Sequence, residues 1–270
     1  MSTALQQSTS RRPRLRWWRE VVYSLAFYAV YSSIRNLQGT ESRARANAHT
    51  IIRIEKATGL YQEHGVQHWF GLRPGADYPH LHWHTFIQFW DVFYGSAHFI
   101  VTIVALVWLF RRHPERYPLW RNTLAFTTAL ALVGFTFFPL MPPRLIGMGF
   151  VDTLDHIGGL WSFESGPMHG VSNQYAAMPS LHFGWSSWCA LVFLPSLKRP
   201  WSRALAIAYP FLTLFAIVVT ANHYIIDAIG GAVVLGVGFL LGRALTKAWE
   251  RHALRKEAAE AREDNLAAAS

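Results

Sequence analysis

Apolar positions cluster into runs, and three of these carry no charge at all: residues 122–140, 204–222 and 228–242. A helix of about 18 to 20 apolar residues reaches across the hydrocarbon layer of a bilayer, so such runs read as membrane spans. Extended by their flanks and joined by weaker runs, they predict six spans, roughly at residues 17–34, 85–110, 119–140, 179–197, 201–221 and 223–245. The first is the weakest, since only 21–34 is charge-free. The second is interrupted by Asp91 and His98. The predicted fold class is an all-α integral membrane protein, a six-transmembrane-helix bundle.

Polar positions shape the connections. The stretch "ESRARANAHTIIRIEKATGLYQE" sets Ile51, Ile52, Ile54 and Leu60 among charges, which predicts an amphipathic helix in the first outer loop. It lies in the headgroup layer or packs on the bundle as a solvated helix. The tail "ERHALRKEAAEAREDNLAAAS" reads as a frayed charged helix or as disorder.

Composition adds little by itself. The 270 residues are 51% hydrophobic, near the soluble average, and loops and tail dilute the mean hydropathy to +0.14. The formal charge of +9 is more informative through its placement. With the N-terminus, residues 111–121, residues 198–203 and the tail on one side, that side holds 18 Lys and Arg against 7 on the other. The positive-inside rule then puts both termini in the cytoplasm and the long loops 35–84 and 141–178 outside. No nucleic-acid partner is expected; the partners are the bilayer and what lies in it. "RRPRLRWWRE" precedes an apolar run as in a signal peptide, but "YSSIRNLQG" is a poor cleavage site, so the segment reads as an uncleaved first span. The single cysteine, Cys189, excludes an internal disulfide.

Ionisable groups at span ends need a reason, because deeper in the bilayer each costs about 2.5–3.5 kcal/mol on insertion scales. In "ANHYIIDAIGG", His223 and Asp227 are four residues apart, one turn of helix, with Asn222 placed as the helix cap. The carboxylate can fix one imidazole tautomer and sharpen the other nitrogen as a nucleophile; the alternative is a pair that only ties helix ends. In "YAAMPSLHFGW", Pro179 opens a helix and puts Ser180 and His182 in its first turn, where free N–H groups favour an anion. The alternative is an interfacial histidine beside Trp185. In "FPLMPPRLIG", Arg144 follows the third span, as a phosphate ligand or a snorkelling arginine. In the six-span arrangement all of these reach the outer face. Two histidines, an aspartate and an arginine on one face suit phosphoryl transfer: one imidazole attacks phosphorus, the other protonates the leaving oxygen, and the guanidinium stabilises the equatorial oxygens.

"PSLH" followed by "HYIIDAIGG" resembles the two histidine motifs of the type 2 phosphatidic acid phosphatase superfamily. "PPR" and the "YGSAH" of the second span resemble its branch related to fungal inositol phosphorylceramide synthases. The resemblance covers spans two to six. It implies a six-helix bundle working without a metal or other cofactor, with His223 as the nucleophile forming a phosphohistidine, Asp227 orienting it, and His182 as the acid. Arg144 matches the arginine of the first motif. Four positions depart from the phosphatase pattern: Phe137 replaces a lysine, Ala216 and Ile217 replace Ser-Arg, and Leu181 replaces glycine. Those losses favour a transferase, with Ser180, Asn222, Asn173 and Gln174 as neutral phosphate donors.

The organisation expected is a basic cytoplasmic N-terminus at 1–16, a six-span membrane catalytic domain at 17–246 and a charged cytoplasmic tail at 247–270. The function expected is hydrolysis of a lipid phosphate or pyrophosphate at the outer face of the cell membrane. Transfer of a phospho-headgroup to an alcohol is the alternative, and a proton-coupled transporter a weaker one. Tyr94 and His98 are placed to face the site. His80, His82 and His84 alternate in "PHLHWH" without a standard zinc spacing, His64 and His68 are four apart, and His156 and His169 sit in the second outer loop.

Overall fold

The structure, a computed structural model, describes residues 16–18, 20–23, 25, 26, 29, 40–158 and 174–269. Helices dominate, with no strand among the described residues beyond an isolated bridge between Leu140 and Ala176. In chain order they are α1 (Glu41–Thr58), α2 (Glu63–Trp69), α3 (His84–Arg112), α4 (Tyr117–Phe137), α5 (Pro143–Ile146), α6 (Thr153–His156), α7 (Leu181–Phe193), α8 (Pro200–Val219) and α9 (Ile225–Ala269).

Three helices, α3, α8 and α9, are long and apolar enough to cross a membrane. Their outward faces carry Ile100, Ile103, Val104, Phe211, Val233, Val237 and Leu240, all exposed. An apolar belt of this kind suits lipid, where water would penalise it. The remaining expected spans resolve differently. The 119–140 run is α4, packed along α9. The 179–197 run yields only the 13 residues of α7 and the 3-10 turn Leu194–Ser196. At 1.5 Å per residue α7 rises about 20 Å, less than the ~30 Å hydrocarbon core. Most of the 17–34 run lies outside the described residues; those described between 17 and 29 are helical.

Local sequence sets the helix limits. Gly59 ends α1 at φ 75°, a left-handed turn that suits glycine, and its N–H returns to the Glu55 carbonyl. Pro118 and Pro200 stand in the first turns of α4 and α8, where a missing N–H costs nothing. α9 runs 45 residues without a break, so the charged tail is helical to Ala269.

α4 and α9 meet backbone to backbone. A Cβ on Gly238 would lie 2.5 Å from Thr127 Oγ1, and one on Gly242 would lie 2.8 Å from the Thr123 nitrogen. Small residues permit this approach where lipid supplies no hydrophobic drive between helices. Thr123 and Thr127 return their hydroxyls to carbonyls one turn back, so both buried hydroxyls are satisfied.

The bundle has two distinct ends. At one, Arg116 donates to Ser196 Oγ and the Val192 carbonyl, and Arg121 pairs with Glu20. At the other, α1, α2, α5 and α6 cover the bundle. α1 turns Ala44, Ala48, Ile51 and Ile52 inward against Leu140, Met141, Ile146, Phe150, Ala177 and Tyr224. Gln67 of α2 is fully buried, donating to the Val151 and Val219 carbonyls and accepting from the Val151 N–H. The segment from Glu41 to Trp69 is therefore a packed cap on the end of the bundle that holds the polar motifs.

Candidate active site

The turn between α8 and α9 carries the first polar group. Its chain reverses through Ala221, held at φ 51°, a left-handed conformation that side chains rarely adopt. The Asn222 and His223 N–H groups both return to the Ile217 carbonyl. The helix then starts at Ile225, later than Asn222 predicts. Asn222 does not cap it: its amide donates to the Thr220 carbonyl and Oγ1 within the turn. Asp227 instead turns its carboxylate back, Oδ2 accepting from the Tyr224 N–H at 2.9 Å.

His223 thus stands ahead of the helix, yet still meets Asp227. Its Nδ1 lies 2.8 Å from the Ala177 carbonyl and 3.3 Å from Asp227 Oδ2. Both partners only accept, so the proton resides on Nδ1 and the lone pair is on Nε2. Nε2 lies 3.2 Å from His182 Nδ1. His223 and Asp227 are both buried.

The loop before α7 is sewn to this turn from both sides. Ala177 accepts from His223, and the Ser180 N–H donates to the Asp227 carbonyl at 2.9 Å. Gly231 lets α9 lie flush on the loop, since a Cβ there would come within 2.4 Å of the Ser180 carbonyl. Ser180 is the N-cap of α7, its hydroxyl accepting from the Phe183 N–H, and it is fully buried. The hydroxyl expected to bind phosphate is engaged in capping, and His182 follows in the first turn.

α3 forms the facing wall. Asp91, Tyr94 and His98 fall at i, i+3 and i+7, one face of a helix. The Tyr94 ring stacks on His182 at 4.3 Å between centroids, and His98 meets it edge-on at 4.2 Å. His98 donates its Nδ1 proton to the Tyr94 carbonyl, which fixes its tautomer. Asp91 accepts from Thr153 Oγ1 at 2.7 Å, joining α3 to the start of α6.

Arg144, in α5, donates its backbone N–H to the Ala221 carbonyl and its Nη1 to Asp152, the N-cap of α6. The guanidinium segment is thereby tied to the turn that carries His223. Phe137, at the end of α4, points outward and is 71% exposed.

The other sequence candidates lie apart. His80 pairs with Asp77 and is exposed, His82 packs on Trp83, and His64 stacks on His68. His156 stacks on Tyr78. Asn173 and His169 are outside the described residues. Among the described residues no group of three or more His, Cys, Asp and Glu side chains is placed to hold a metal ion. Sequence reading passed over Asp152, Ala177, Glu55 and Glu63. Asp152 had a weak local signal as a capping residue before "TLDH". A main-chain carbonyl such as Ala177 has none.

The arrangement couples a buried imidazole of fixed tautomer to a second imidazole at hydrogen-bond distance, with the backbone of Arg144 tied to the turn that carries the first. The PAP2 superfamily sequence model matches residues 49–241 of this chain. That span contains every group just described, and the chain belongs to the PAP2 superfamily, whose members are generally phosphatases or phosphotransferases. No curated protein and no solved structure matches the chain.

Proposed function

We propose that this PAP2-superfamily chain is a metal-independent lipid phosphatase that acts at the outer membrane face through a phosphohistidine on His223. The observation that carries the reading is the hydrogen bonding of His223. Nδ1 is committed to Ala177 and Asp227, so Nε2 is the nitrogen that carries the lone pair; it faces His182 Nδ1 at 3.2 Å, a contact that phosphorus replaces on attack. Nε2 attacks phosphorus, and the bond from phosphorus to the lipid oxygen breaks. His182 gives its proton to that oxygen, and a lipid alcohol leaves. Water then attacks the phosphohistidine, His182 takes the proton from the water, and phosphate departs with His223 restored. Asp227 offsets the positive charge that His223 acquires on attack, and Arg144 stabilises the equatorial oxygens. The placement of charge supports the outward orientation. The site sits at the end of the bundle opposite Arg116 and Arg121, the end that the positive-inside rule leaves outside.

A second reading, transfer of a phospho-headgroup to an alcohol, shares the phosphohistidine and replaces water by the acceptor. The exposed Phe137 and the buried Ile217, standing where phosphatases of this type carry cations, favour it.

Purified protein in detergent, given phosphatidic acid, polyprenyl phosphates and pyrophosphates with a chelator present, tests both. Phosphate release that disappears in His223→Ala is expected. A new phospholipid formed only with inositol or another alcohol present establishes transfer instead. A folded His223→Ala protein with full activity refutes the mechanism.

A further inference from the structure

Glu55 and Glu63 are fully buried, although the sequence places both in an outer loop among charges. Each has a defined task for one oxygen. Glu63 Oε1 accepts from the Ile225 N–H and Glu55 Oε1 accepts from the Ile226 N–H, both at 2.8 Å. These are the first two N–H groups of α9, which have no partner within their own helix. They also carry the positive end of the helix dipole. The helix that presents Asp227 is thus capped by two carboxylates from α1 and α2.

We propose that Glu55 and Glu63 are positioning residues for the reaction: together they hold the first turn of α9, and through it the His223–Asp227 pair, in register with His182. This rests on the phosphohistidine reading above. The connection is short. Tyr224 and Asp227 flank the clamped residues, and the Asp227 carbonyl receives the Ser180 N–H that fixes the loop before His182.

The second oxygens show how two carboxylates share one buried place. Glu55 Oε2 and Glu63 Oε2 are both buried with no donor aimed at them. A single proton between the two carboxyls satisfies both and leaves one negative charge facing the helix dipole. Two adjacent carboxylates sharing a site raise the proton affinity of one. Burial, with Glu63 adding to it, pushes Glu55 up to about 8, and burial raises Glu63 as well. The other titratable groups facing the pair are Tyr61, Tyr224 and Asp227. Lys56 lies against the Tyr61 ring and His64 adjoins Glu63. Tyr61 is itself raised, by burial and then by the two glutamates.

The sign follows. Folded protein holds the Glu55 proton to about pH 8, whereas an ordinary glutamate releases it near 4.5. The stabilisation is full below 4.5 and is lost as pH rises through about 8, where the pair becomes two mutually repelling carboxylates.

The test uses full-length protein in detergent with Glu55→Gln, Glu63→Gln, the double Gln variant and Glu55→Ala. Turnover is measured against pH, and amide exchange is measured over residues 221–230. A single Gln replaces the shared proton with an amide N–H. Each single variant should therefore keep kcat within about threefold, keep exchange protection, and lose the alkaline limb near pH 8. The double Gln sets two NH2 groups together. It and Glu55→Ala should lose at least tenfold in kcat, with KM little changed, and at least tenfold in protection of 221–230. Wild-type protection and kcat in Glu55→Ala overturn the proposal. So does lost protection with unchanged kcat. If wild-type protein turns over no lipid phosphate, the phosphatase reading fails separately, and exchange alone decides whether the clamp exists.

Discussion

Arg144 Nη1 donates to Asp152 Oδ2, and both side chains are largely shielded, at 7% and 16% exposure. The guanidinium suited to phosphate already faces a carboxylate. A phosphate entering the site therefore competes with Asp152 as counter-ion and repels it.

Asp152→Asn keeps the cap on α6 and removes that competing charge. Orthovanadate should bind this variant several-fold more tightly than wild type. Thermal melts should show the variant less stable without ligand, since breaking a shielded pair costs on the order of 3–5 kcal/mol at the buried limit. Vanadate should restore most of the loss. Weaker vanadate binding would mean that Asp152 orients the arginine.

His182→Ala should slow hydrolysis of alkyl phosphates by about 10²–10⁴, the usual value of a placed acid. A leaving group such as p-nitrophenolate needs less help. With p-nitrophenyl phosphate the variant should release one equivalent of nitrophenol rapidly and then stall. The stalled protein should carry an acid-labile, base-stable phosphoryl label that His223→Ala lacks.

Asp227→Asn should cost about 10- to 100-fold in kcat, well short of the ~10⁴ loss found where a carboxylate alone sets the tautomer. Here the Ala177 carbonyl is nearer to Nδ1 than Asp227 is, at 2.8 Å against 3.3 Å. It keeps the proton on Nδ1 in the variant. Chemical shifts of labelled histidine nitrogens check this directly: the His223 tautomer should not change.

Gly231→Ala forces a Cβ toward the Ser180 carbonyl, a backbone atom that cannot turn aside. Overpacking of this kind costs about 1–3 kcal/mol. The displaced loop leads into the first turn of α7, which carries His182, so kcat should fall more than stability alone accounts for. Gly236→Ala, where a Cβ meets open space, is the control and should behave as wild type in both melting and turnover.

The apolar runs were legible because lipid imposes a long, uniform demand on a helix, and α3, α8 and α9 answer it. His182, His223, Asp227 and Arg144 stood out as ionisable residues at the margins of those runs. The start of α9 was misplaced at Asn222 because a cap was sought within a few residues. Its N–H groups are instead served by Glu63 and Glu55, 162 and 171 residues away in the chain. No local spacing encodes such a partner. The two glutamates looked like ordinary surface charges in a loop, and only the packing of α1 and α2 onto the bundle buries them. α7 was overestimated because an apolar run fixes burial, while Pro195 and the turn around it fix where the helix stops.

α9 is one uninterrupted rod, and at 1.5 Å per residue its 45 residues extend about 67 Å. A ~30 Å hydrocarbon core accommodates less than half of that. Spanning such a core leaves the remainder as a mast beyond it, on a rod that starts just after the turn that bears His223. Its tip acts as a ruler: a fluorophore near Arg262 reports height above the lipid surface, and with it the side of the membrane on which the chain ends.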